Sequence, residues 1–416
     1  MEKWTDEKIE LVPKYDSASY FCDGLAVVEN QHYKYGYINK NGEEVIKCQF
    51  KNACSFNYGL AAVQNEERLW GYIGMDGKLK IPYKFLQAAV FNDEVAYVKD
   101  ENGNFGYIDK SGNYIIKPTY DEAHHFTSGY AKVKNAKDKR YSLIDKTGKV
   151  IGKYDEICIH YDGTIIASRS KVEYKDFDYK NPDHYPSIYY KIDKEENEQL
   201  IPTDELGIKN IVIPIINVEF PMLYKSSDGK YGYIDENFNI IIPAIYDLAT
   251  EFCNGVAHVG DRDLNTYACI DETGKILYKE PSYGALNNSF VEGLAAVEDK
   301  ETYLKGFIDK TGKRVIPCKY TEIGFFSEGV SYVKEINGDS YYIDATGKKV
   351  IEIPNVYKTT VYMPLPNDDC YFQTVTASTE EKLKNKCKKL HETYKDFLLA
   401  IKNAEKSDIA KTKIRD

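Results

Sequence analysis

The chain has 416 residues, of which 43 % are hydrophobic and 29 % charged, and its formal net charge is −10 at pH 7. These values are typical of a folded protein rather than a disordered one. The acidic, well-mixed charge does not favour nucleic-acid binding, which needs clustered Lys and Arg. No apolar run approaches the ~18 residues that cross a bilayer. We therefore expect no nucleic-acid partner and no membrane span.

Residues 1–10 contain no apolar core of a secretory signal. The nine cysteines form neither CxxC pairs nor zinc-ligand spacings. Free thiols of this kind suit a reducing compartment. The sequence therefore predicts a cytoplasmic protein without a metal site.

Tyrosine is the unusual residue type, with 37 Tyr against 17 Phe and 2 Trp. Tyr forms strands readily and can lie half-buried with its hydroxyl in water. The excess therefore favours sheets with one wet face. Stacking platforms for sugars or bases are the alternative interpretation.

A first motif, aromatic-x-x-Gly followed by apolar-small-x-Val, begins at Phe21 and returns at intervals of 35 residues three times. Its seven clear copies begin at Phe21, Phe56, Phe91, Phe126, Phe252, Phe290 and Phe326. Two weaker copies lie near Gly163 and Glu219. The sequence thus predicts about nine units of 35 residues, with an insertion near residues 170–190 in the fifth.

A second motif, aromatic-Gly-Tyr-Ile followed by Asp-x-x-Gly, comes next in each unit, as at Phe105 to Gly112. Asp or Asn at the first turn position and Gly at the fourth is type I turn chemistry. A third apolar run follows and often ends at proline, as at Pro118, which cannot donate to a sheet ladder. Each unit is therefore predicted to be three short antiparallel strands.

This order of motifs resembles bacterial WG-repeat proteins, whose unit runs roughly G-L-A-x-V, then W-G-Y-I-D-x-x-G, then V-I-P-x-Y-D. The resemblance covers about residues 15–355. The signature Trp stands only at Trp70, and Tyr, Phe, Ala or Lys replaces it in the other units. The resemblance implies a repeat scaffold and supplies no catalytic residues.

The two faces of the first motif strand differ in their tolerance of charge. Counted from the motif Gly, position +2 is small and position +4 is Val in the seven clear copies, so this face is expected to pack on a neighbouring layer. Position +3 holds Lys132 in one unit and is expected to face solvent. Tyr97 and Tyr332 share position +3, so both are candidate binding residues.

Each unit is too small to form its own core, so neighbouring units must stack into one body. An elongated β-superhelix or solenoid is the favoured shape of this all-β array. A closed β-propeller is the less favoured alternative. Propeller blades usually have four strands and about 40 to 45 residues, whereas each predicted unit has three strands and 35 residues.

Two segments depart from the repeat, which spans residues 15–365 after a lead-in at 1–14. Residues 170–186 form a polar, aromatic loop that either packs on the array or binds a partner. Residues 366–416 are a linker and an amphipathic helix, which either caps the last repeat or contacts a partner or second copy. The candidate contact residues of the loop are Tyr174, Phe177, Tyr179 and Tyr185.

The sequence contains no HExxH, GxSxG, Walker or GxGxxG motif. Adjacent His124 and His125 would point to opposite faces of a strand, which argues against a shared metal ion. We therefore predict a non-catalytic scaffold that binds another protein and needs no cofactor. The alternatives are a glycan or cell-surface binding module and, more remotely, an enzyme that uses the insertion loop.

Overall fold

The computed structural model describes residues 10–160, 163–170, 187–193, 195–212, 220–261, 266–280, 290–353, 355–364, 370–377, 381–390 and 392. Within these ranges the protein is all-β, with one helix, α1, over residues 381–390. The all-β prediction is therefore confirmed.

Strand β1 (Glu10–Pro13) precedes seven four-stranded antiparallel sheets, in each of which the strands lie in chain order. Sheets 1 to 4 are β2 (Tyr15–Cys22), β3 (Leu25–Asn30), β4 (Tyr35–Asn39) and β5 (Glu44–Phe50); β6 (Asn52–Ala53), β7 (Leu60–Gln64), β8 (Trp70–Gly74) and β9 (Leu79–Phe85); β10 (Gln87–Ala88), β11 (Ala96–Lys99), β12 (Phe105–Ile108) and β13 (Tyr114–Tyr120); and β14 (Glu122–Ala123), β15 (Tyr130–Lys134), β16 (Tyr141–Asp145) and β17 (Val150–Tyr154). Sheets 5 to 7 are β18 (Glu156–Ile159), β19 (Ile165–Ser170), β20 (Ser187–Ile192) and β21 (Glu198–Leu200); β22 (Ile208–Ile211), β23 (Met222–Ser226), β24 (Tyr231–Ile234) and β25 (Ile240–Tyr246); and β26 (Leu248–Ala249), β27 (Val256–Asp261), β28 (Thr266–Asp271) and β29 (Ile276–Glu280).

Sheet 8 has six strands and takes in two successive repeats. Its strands are β30 (Leu294–Glu298), β31 (Lys305–Asp309), β32 (Arg314–Ile323), β33 (Val330–Glu335), β34 (Ser340–Asp344) and β35 (Lys349–Glu352). Phe307 and Ile316 of the first half share one core cluster with Phe326 and Val333 of the second. The sheet therefore bends about the continuous strand β32, so that its halves pack like two neighbouring sheets.

In sheets 1, 2, 3 and 6 a tyrosine of the second motif joins the sheet to the next one. The Tyr72 ring lies 5.0 Å from the Phe91 ring, and its hydroxyl donates to the Ala89 carbonyl oxygen at 2.7 Å. Both side chains are fully buried. The hydroxyl therefore has a partner although water cannot reach it, which a buried tyrosine requires. The same pair of contacts is made by Tyr37, Tyr107 and Tyr233.

These contacts also close the array on itself. Tyr342 of sheet 8 donates to the Ser19 carbonyl oxygen of sheet 1 at 2.7 Å, and its ring lies 5.0 Å from Phe21. The Ser327 hydroxyl donates to the Phe21 carbonyl oxygen at 2.6 Å. The favoured superhelix is therefore wrong and the propeller alternative is right. The repeat does not distinguish first from last, so the last unit can dock on the first.

The prediction of nine three-stranded units is not confirmed, because the repeats form four-stranded sheets. The missed strand has two residues in sheet 2, Asn52 and Ala53, and follows β5 after one residue. It pairs with β7 through Asn52 to Gln64 and Ala53 to Val63. Since it continues the preceding strand without a turn signal, the sequence shows no separate element.

The expectation that position +3 faces solvent is also wrong. Val27, Ala62, His258 and Tyr332 at this position are buried. Each sheet of a propeller stands between two others, so both of its faces are covered. Position +3 tolerates a charged residue because a long side chain can extend along an aromatic ring. The Nζ atom of Lys132, at this position, lies 5.4 Å from the ring centre of Tyr141.

The glycine of the second motif, aromatic-Gly-Tyr-Ile, has a steric role in the sheets that contain it. A methyl group on Gly106 would lie 2.7 Å from the Ile116 carbonyl oxygen, because the fourth strand bulges across this position. The same crossing occurs at Gly36, Gly71, Gly232 and Gly306. Where another residue replaces the glycine, the fourth strand pairs without this bulge, as in Ser142 to Lys153, Ala268 to Lys279 and Tyr341 to Glu352. The glycine therefore marks the outer strands that bulge at its own position, whereas strands of both kinds share a register shift one step further along.

Strands β36 (Asn355–Pro364) and β37 (Cys370–Ala377) follow the ring and form a three-stranded sheet with β1. Strand β1 pairs with β36 from Glu10 with Lys358 to Pro13 with Asn355. The two ends of the repeat array are thus joined a second time outside the ring.

Candidate functional site

The antiparallel order of the strands gives the ring two distinct faces. Turns between the third and fourth strands lie on one face, which we call the Asp-turn face. Turns between the second and third strands lie on the opposite face, which we call the hairpin face. In sheet 2 the Asp-turn face has residues 75–78 and the hairpin face has residues 65–69.

The polar groups of the Asp-turn face are engaged within their own turns. One Asp344 carboxylate oxygen accepts hydrogen bonds from the Thr346 and Lys348 N–H groups and from the Thr346 hydroxyl. The hydroxyl bond and the backbone bonds hold the pKa of Asp344 below its ordinary value. Such a carboxylate stabilises a turn and is not poised for proton transfer.

The same face joins one sheet to the next through carboxylates at the third position of the first motif, directly before the position that is Gly in most copies and Glu94 in the third. Asp93 accepts the Gly129 N–H at 2.7 Å and pairs with Lys146 at 2.9 Å. At the closing interface Glu328 accepts the Gly24 N–H at 3.1 Å and pairs with Lys40 at 2.9 Å. These charges on the Asp-turn face therefore serve the assembly of the ring.

The hairpin face carries three strongly exposed apolar side chains. Tyr33 of sheet 1 and Tyr303 and Ile336 of sheet 8 are 76 %, 72 % and 73 % exposed. They occupy the tips of hairpin turns on neighbouring parts of the ring, across the closing interface. We call these three residues the seam arc. The corresponding tips of sheets 2, 3, 4 and 6 expose charged or polar residues, namely Glu66 to Arg68, Glu101 and Asn102, Lys137, and Ser227 and Asp228.

Sequence reasoning missed the seam arc because single apolar residues in polar turns are common. The available signal was positional: Tyr33, Tyr303 and Ile336 stand between the second strand and the aromatic-Gly-Tyr motif or its variants. Tyr303 and Ile336 lie on successive repeats of sheet 8, but only the closure of the ring, which the sequence did not establish, brings the turn of Tyr33 next to theirs.

The predicted binding residues at position +3 lie inside the ring wall. Tyr97 is half-buried, with its ring 4.9 Å from the His125 ring and 5.9 Å from the Phe105 ring. Tyr332 is buried and donates to the Ser340 hydroxyl oxygen at 3.1 Å. The structure does not bring these two tyrosines together, and binding by either stays a prediction.

The other four predicted binding residues, Tyr174, Phe177, Tyr179 and Tyr185, lie outside the described residues. Their segment connects Ser170 of β19 to Ser187 of β20, which pair with each other at the end of the hairpin. The described strand ends that flank this segment, Ser170 and Ser187, lie on the hairpin face, since β19 and β20 are the second and third strands of sheet 5.

The described part of the terminal helix packs on the terminal sheet. Leu383 and Cys387 of α1 are buried, one turn apart, and Lys386 donates to the Thr376 carbonyl oxygen at 2.9 Å. Apart from residue 392, the rest of the predicted helix lies outside the described ranges. Contact of this helix with a partner or a second copy stays a prediction.

Two titratable side chains of the ring wall, Cys158 and His124, are held uncharged at neutral pH. Burial raises the pKa of the Cys158 thiol to about 11, with the nearby Lys132 charge opposing the shift. Burial and the same lysine lower the pKa of His124 to about 4. The thiol thus stays protonated and the imidazole stays neutral.

Two further findings concern the part of the chain that the structure describes. There, no three His, Cys, Asp or Glu side chains are grouped so that they could hold a metal ion. Across the same ranges, no helix has the length and apolar character that spanning a membrane requires.

Comparison with known proteins gives one family and remote structural similarity. A family model described as "WG containing repeat" matches residues 35–68, 70–104, 105–138, 231–259 and 306–338. No curated protein matches the sequence. The chain is similar to BamB from Moraxella catarrhalis at 11 % identity, over 81 % of this chain and 98 % of that one, with a TM-score of 0.35. It is similar to Kluyveromyces lactis Hsv2 at 8 % identity, over 89 % and 98 % of the two chains, with a TM-score of 0.30.

Proposed function

Because the chain belongs to the WG-repeat family and its repeats close into a ring, we propose that it is a non-catalytic scaffold that binds another protein. The proposed binding surface is the hairpin face. Propellers and other repeat folds present extended surfaces that vary while the packed repeats stay the same.

The seam arc is the observation that carries this proposal. Three large apolar side chains are more than 70 % exposed on neighbouring turns, and apolar groups clustered in this way mark interaction sites in soluble proteins. Carboxylates are engaged within their turns on both faces, as Asp344 is on the Asp-turn face and Asp100 on the hairpin face. The strongly exposed apolar side chains are therefore the feature that favours the hairpin face as the binding surface.

The test starts from a protein partner recovered with the intact chain, purified, and titrated back by calorimetry. The variant Tyr33→Ser/Tyr303→Ser/Ile336→Ser should weaken its binding by at least about tenfold, since exposed aromatic anchors dominate interface energy. The control, Val45→Ser/Leu79→Ser/Val150→Ser, removes three apolar groups that are 47 %, 45 % and 48 % exposed on fourth strands and should leave affinity within about twofold. Equal weakening by both variants would contradict the assignment of the face.

Two deletions extend this test to the predicted segments. Removal of residues 170–186 tests Tyr174, Phe177, Tyr179 and Tyr185 as contacts, and removal of residues 379–416 tests the helix. We propose the loop as the second contact, because the strand ends that flank it, Ser170 and Ser187, lie on the same face as the seam arc. If neither deletion changes affinity, neither segment contacts the partner, and the repeat surface stays the proposed binding site.

A glycan-binding module was the alternative suggested by the aromatic-Gly-Tyr motifs. The motif tyrosines Tyr37, Tyr72 and Tyr107 are fully buried, and each hydroxyl donates to a backbone carbonyl. They are therefore not available as sugar platforms, which weakens this alternative. Saturable binding on a glycan array would reverse the ranking.

A further inference from the structure

Tyr33 and Tyr303 of the seam arc occupy a turn position that disfavours bulky side chains. Each stands two residues before the third strand of its unit, and their φ angles are 55° and 58°. Four other hairpin turns have a positive φ at this position, which is held by Arg68, Gly103, Gly229 and Gly338. Glycine adopts this conformation without steric cost, whereas a bulky residue is strained there. A strained residue of this kind is typical of a functional site.

The exposed rings of both tyrosines also lack a cation neighbour. Tyr58, on the Asp-turn face, shows the contrast, because the Nζ atom of Lys110 lies 4.9 Å from the centre of its ring. In the part of the chain that the structure describes, no Lys or Arg side chain lies over Tyr33 or Tyr303. The face of an aromatic ring carries partial negative charge and attracts cations. These two ring faces are therefore open to a cation from another molecule.

Sheet 5 shows how this chain itself holds a cation between tyrosines. The Cζ atom of Arg169 lies 4.4 Å from the ring centre of Tyr154 and 4.8 Å from that of Tyr190. Its Nη1 donates to the Glu198 carboxylate at 2.9 Å. A planar guanidinium can therefore stack on a tyrosine and pair with a carboxylate at the same time, which an ammonium group does less well.

The turn that carries Tyr303 supplies such carboxylates. Glu298, at the end of β30, and Glu301, in the turn, are both exposed. Within the described ranges neither of them forms an ion pair, whereas Asp299 between them lies 3.8 Å from Arg314. Lys300 is the one opposing charge of residues 298–303. The exposed ring of Tyr303 thus stands beside an excess of negative charge.

We propose that Tyr33 and Tyr303 are cation–π anchors for arginine side chains in a basic segment of the partner protein. The inference rests on the proposed protein-binding function and names the chemistry of the partner. The net charge of −10 has the sign that attracts such a segment. An arginine stacked on Tyr303 has Glu301 within the same turn as its carboxylate partner, as Arg169 has Glu198.

The experiment uses the full chain and a synthetic probe at about 0.15 M salt, which screens long-range attraction between charges. The probe is a fluorescein-labelled dodecapeptide that alternates Arg and Ser. Fluorescence anisotropy should show saturable binding. The same peptide with citrulline, the uncharged analogue of arginine, should bind at least about tenfold more weakly, since cation–π attraction needs the charge.

Two double variants separate the ring from its apolar bulk. Tyr33→Leu/Tyr303→Leu keeps an apolar side chain but removes the ring, so it should weaken probe binding by about tenfold. Tyr33→Phe/Tyr303→Phe keeps the ring and should stay within about threefold of the intact chain. Full affinity of the leucine variant would overturn the proposal, because an apolar contact would then account for the binding.

Tyr58→Leu/Tyr114→Leu is the matched control. The rings of Tyr58 and Tyr114 already have lysine neighbours, Lys110 at 4.9 Å and Lys84 at 5.9 Å. This variant should therefore leave probe affinity within about twofold. A probe that does not saturate the intact chain, equal weakening by both leucine variants, or equal binding of the citrulline peptide would overturn the proposal. So would a concentration-dependent dimer, measured by sedimentation, that Tyr33→Leu/Tyr303→Leu abolishes.

Tyr33→Gly/Tyr303→Gly separates binding from a structural role of the two rings. Glycine accepts the positive φ at both positions, so the melting temperature should stay the same or rise. Probe affinity should fall at least about tenfold. A lower melting temperature would mean that the rings stabilise their turns, and it would contradict the account of tyrosines kept for binding.

Failure of this inference and failure of the proposed function give different results. If the purified partner binds Tyr33→Leu/Tyr303→Leu as it binds the intact chain but loses affinity for the serine variant of the seam arc, the scaffold function stands and the arginine anchors are wrong. If no purified protein binds the intact chain, the proposed function itself fails.

Discussion

The interface between sheets 2 and 3 and the interface between sheets 8 and 1 are built from the same contacts. In the first, Tyr72 packs on Phe91 at 5.0 Å and donates to the Ala89 carbonyl oxygen. In the second, Tyr342 packs on Phe21 at 5.0 Å and donates to Ser19. The first pair is 19 residues apart in the chain, whereas the second joins its two ends.

This equivalence shows that ring closure needs no special element. Sheets 1, 2, 3 and 6 each present a tyrosine that packs on a phenylalanine of the next sheet, and Tyr342 of sheet 8 packs on Phe21 of sheet 1 in the same way. The difference between the interfaces is entropic, because the closing contact must bring together distant parts of the chain. Variants that weaken both interfaces in parallel therefore test the comparison.

The largest effect is expected from removing the core phenylalanines. Phe91→Ala and Phe21→Ala should each lower the free energy of unfolding by about 3–5 kcal/mol, because a buried aromatic ring is lost and a cavity remains. Chemical denaturation monitored by circular dichroism measures both. A large loss for Phe91→Ala with a negligible one for Phe21→Ala would mean that the closing interface is not formed.

The glycine of the second motif distinguishes the fourth strands that bulge at its position from those that do not. Gly106→Ala should destabilise the protein by roughly 1–3 kcal/mol, since the added methyl group meets the backbone of the bulged fourth strand. The converse change, Ala268→Gly in the strand without this bulge, should cost only about 0.5–1 kcal/mol through backbone entropy. Thermal unfolding of the two variants compares them; a smaller effect at Gly106 would contradict the steric role.

The tyrosine hydroxyls should contribute less than the rings. Tyr72→Phe and Tyr342→Phe should each lose about 1 kcal/mol, because a backbone carbonyl of the next sheet loses its donor. Phe307 occupies the same position in sheet 8 and packs on Phe326 at 4.9 Å without a hydroxyl. Phe307→Tyr therefore serves as the reverse change, and equal losses in the first two variants would support the equivalence of the interfaces.

The smallest effect concerns pH at the closing interface. Although partial burial opposes its ionisation, hydrogen bonds from Lys40 and the Gly24 N–H hold the pKa of Glu328 below its ordinary value of 4.5. The stabilisation is therefore complete above about pH 4.5 and is lost as pH falls through the lower folded-state pKa.

Because this carboxylate is partly exposed, the contribution should stay below about 1 kcal/mol. Unfolding free energies of the intact protein and Glu328→Gln, measured between about pH 6 and pH 3, should converge as pH falls. A difference that grows towards low pH would contradict the sign.

The repeat, its turns and its all-β character were readable from the sequence because each recurs with its own chemistry. The Asp-x-x-Gly turns and the buried Val at position +4 are examples. Closure was not readable, because Tyr342 and Ser19 stand 323 residues apart in the sequence. The wrong assignment of position +3 followed from this, since an open array leaves one face wet whereas a ring covers both. The seam arc also depends on ring closure, which brings Tyr33 next to sheet 8, so sequence reasoning missed it for the same reason.

The most direct test of the closed ring is the coupling energy between Tyr342 and Phe21. A double-mutant cycle built from Tyr342→Ala, Phe21→Ala and their combination should give about 0.5–1.5 kcal/mol, the usual range for a buried aromatic pair. The parallel cycle at Tyr72 and Phe91 should give the same value. A coupling at Tyr72 and Phe91 together with strict additivity at Tyr342 and Phe21 would show that the two ends do not meet.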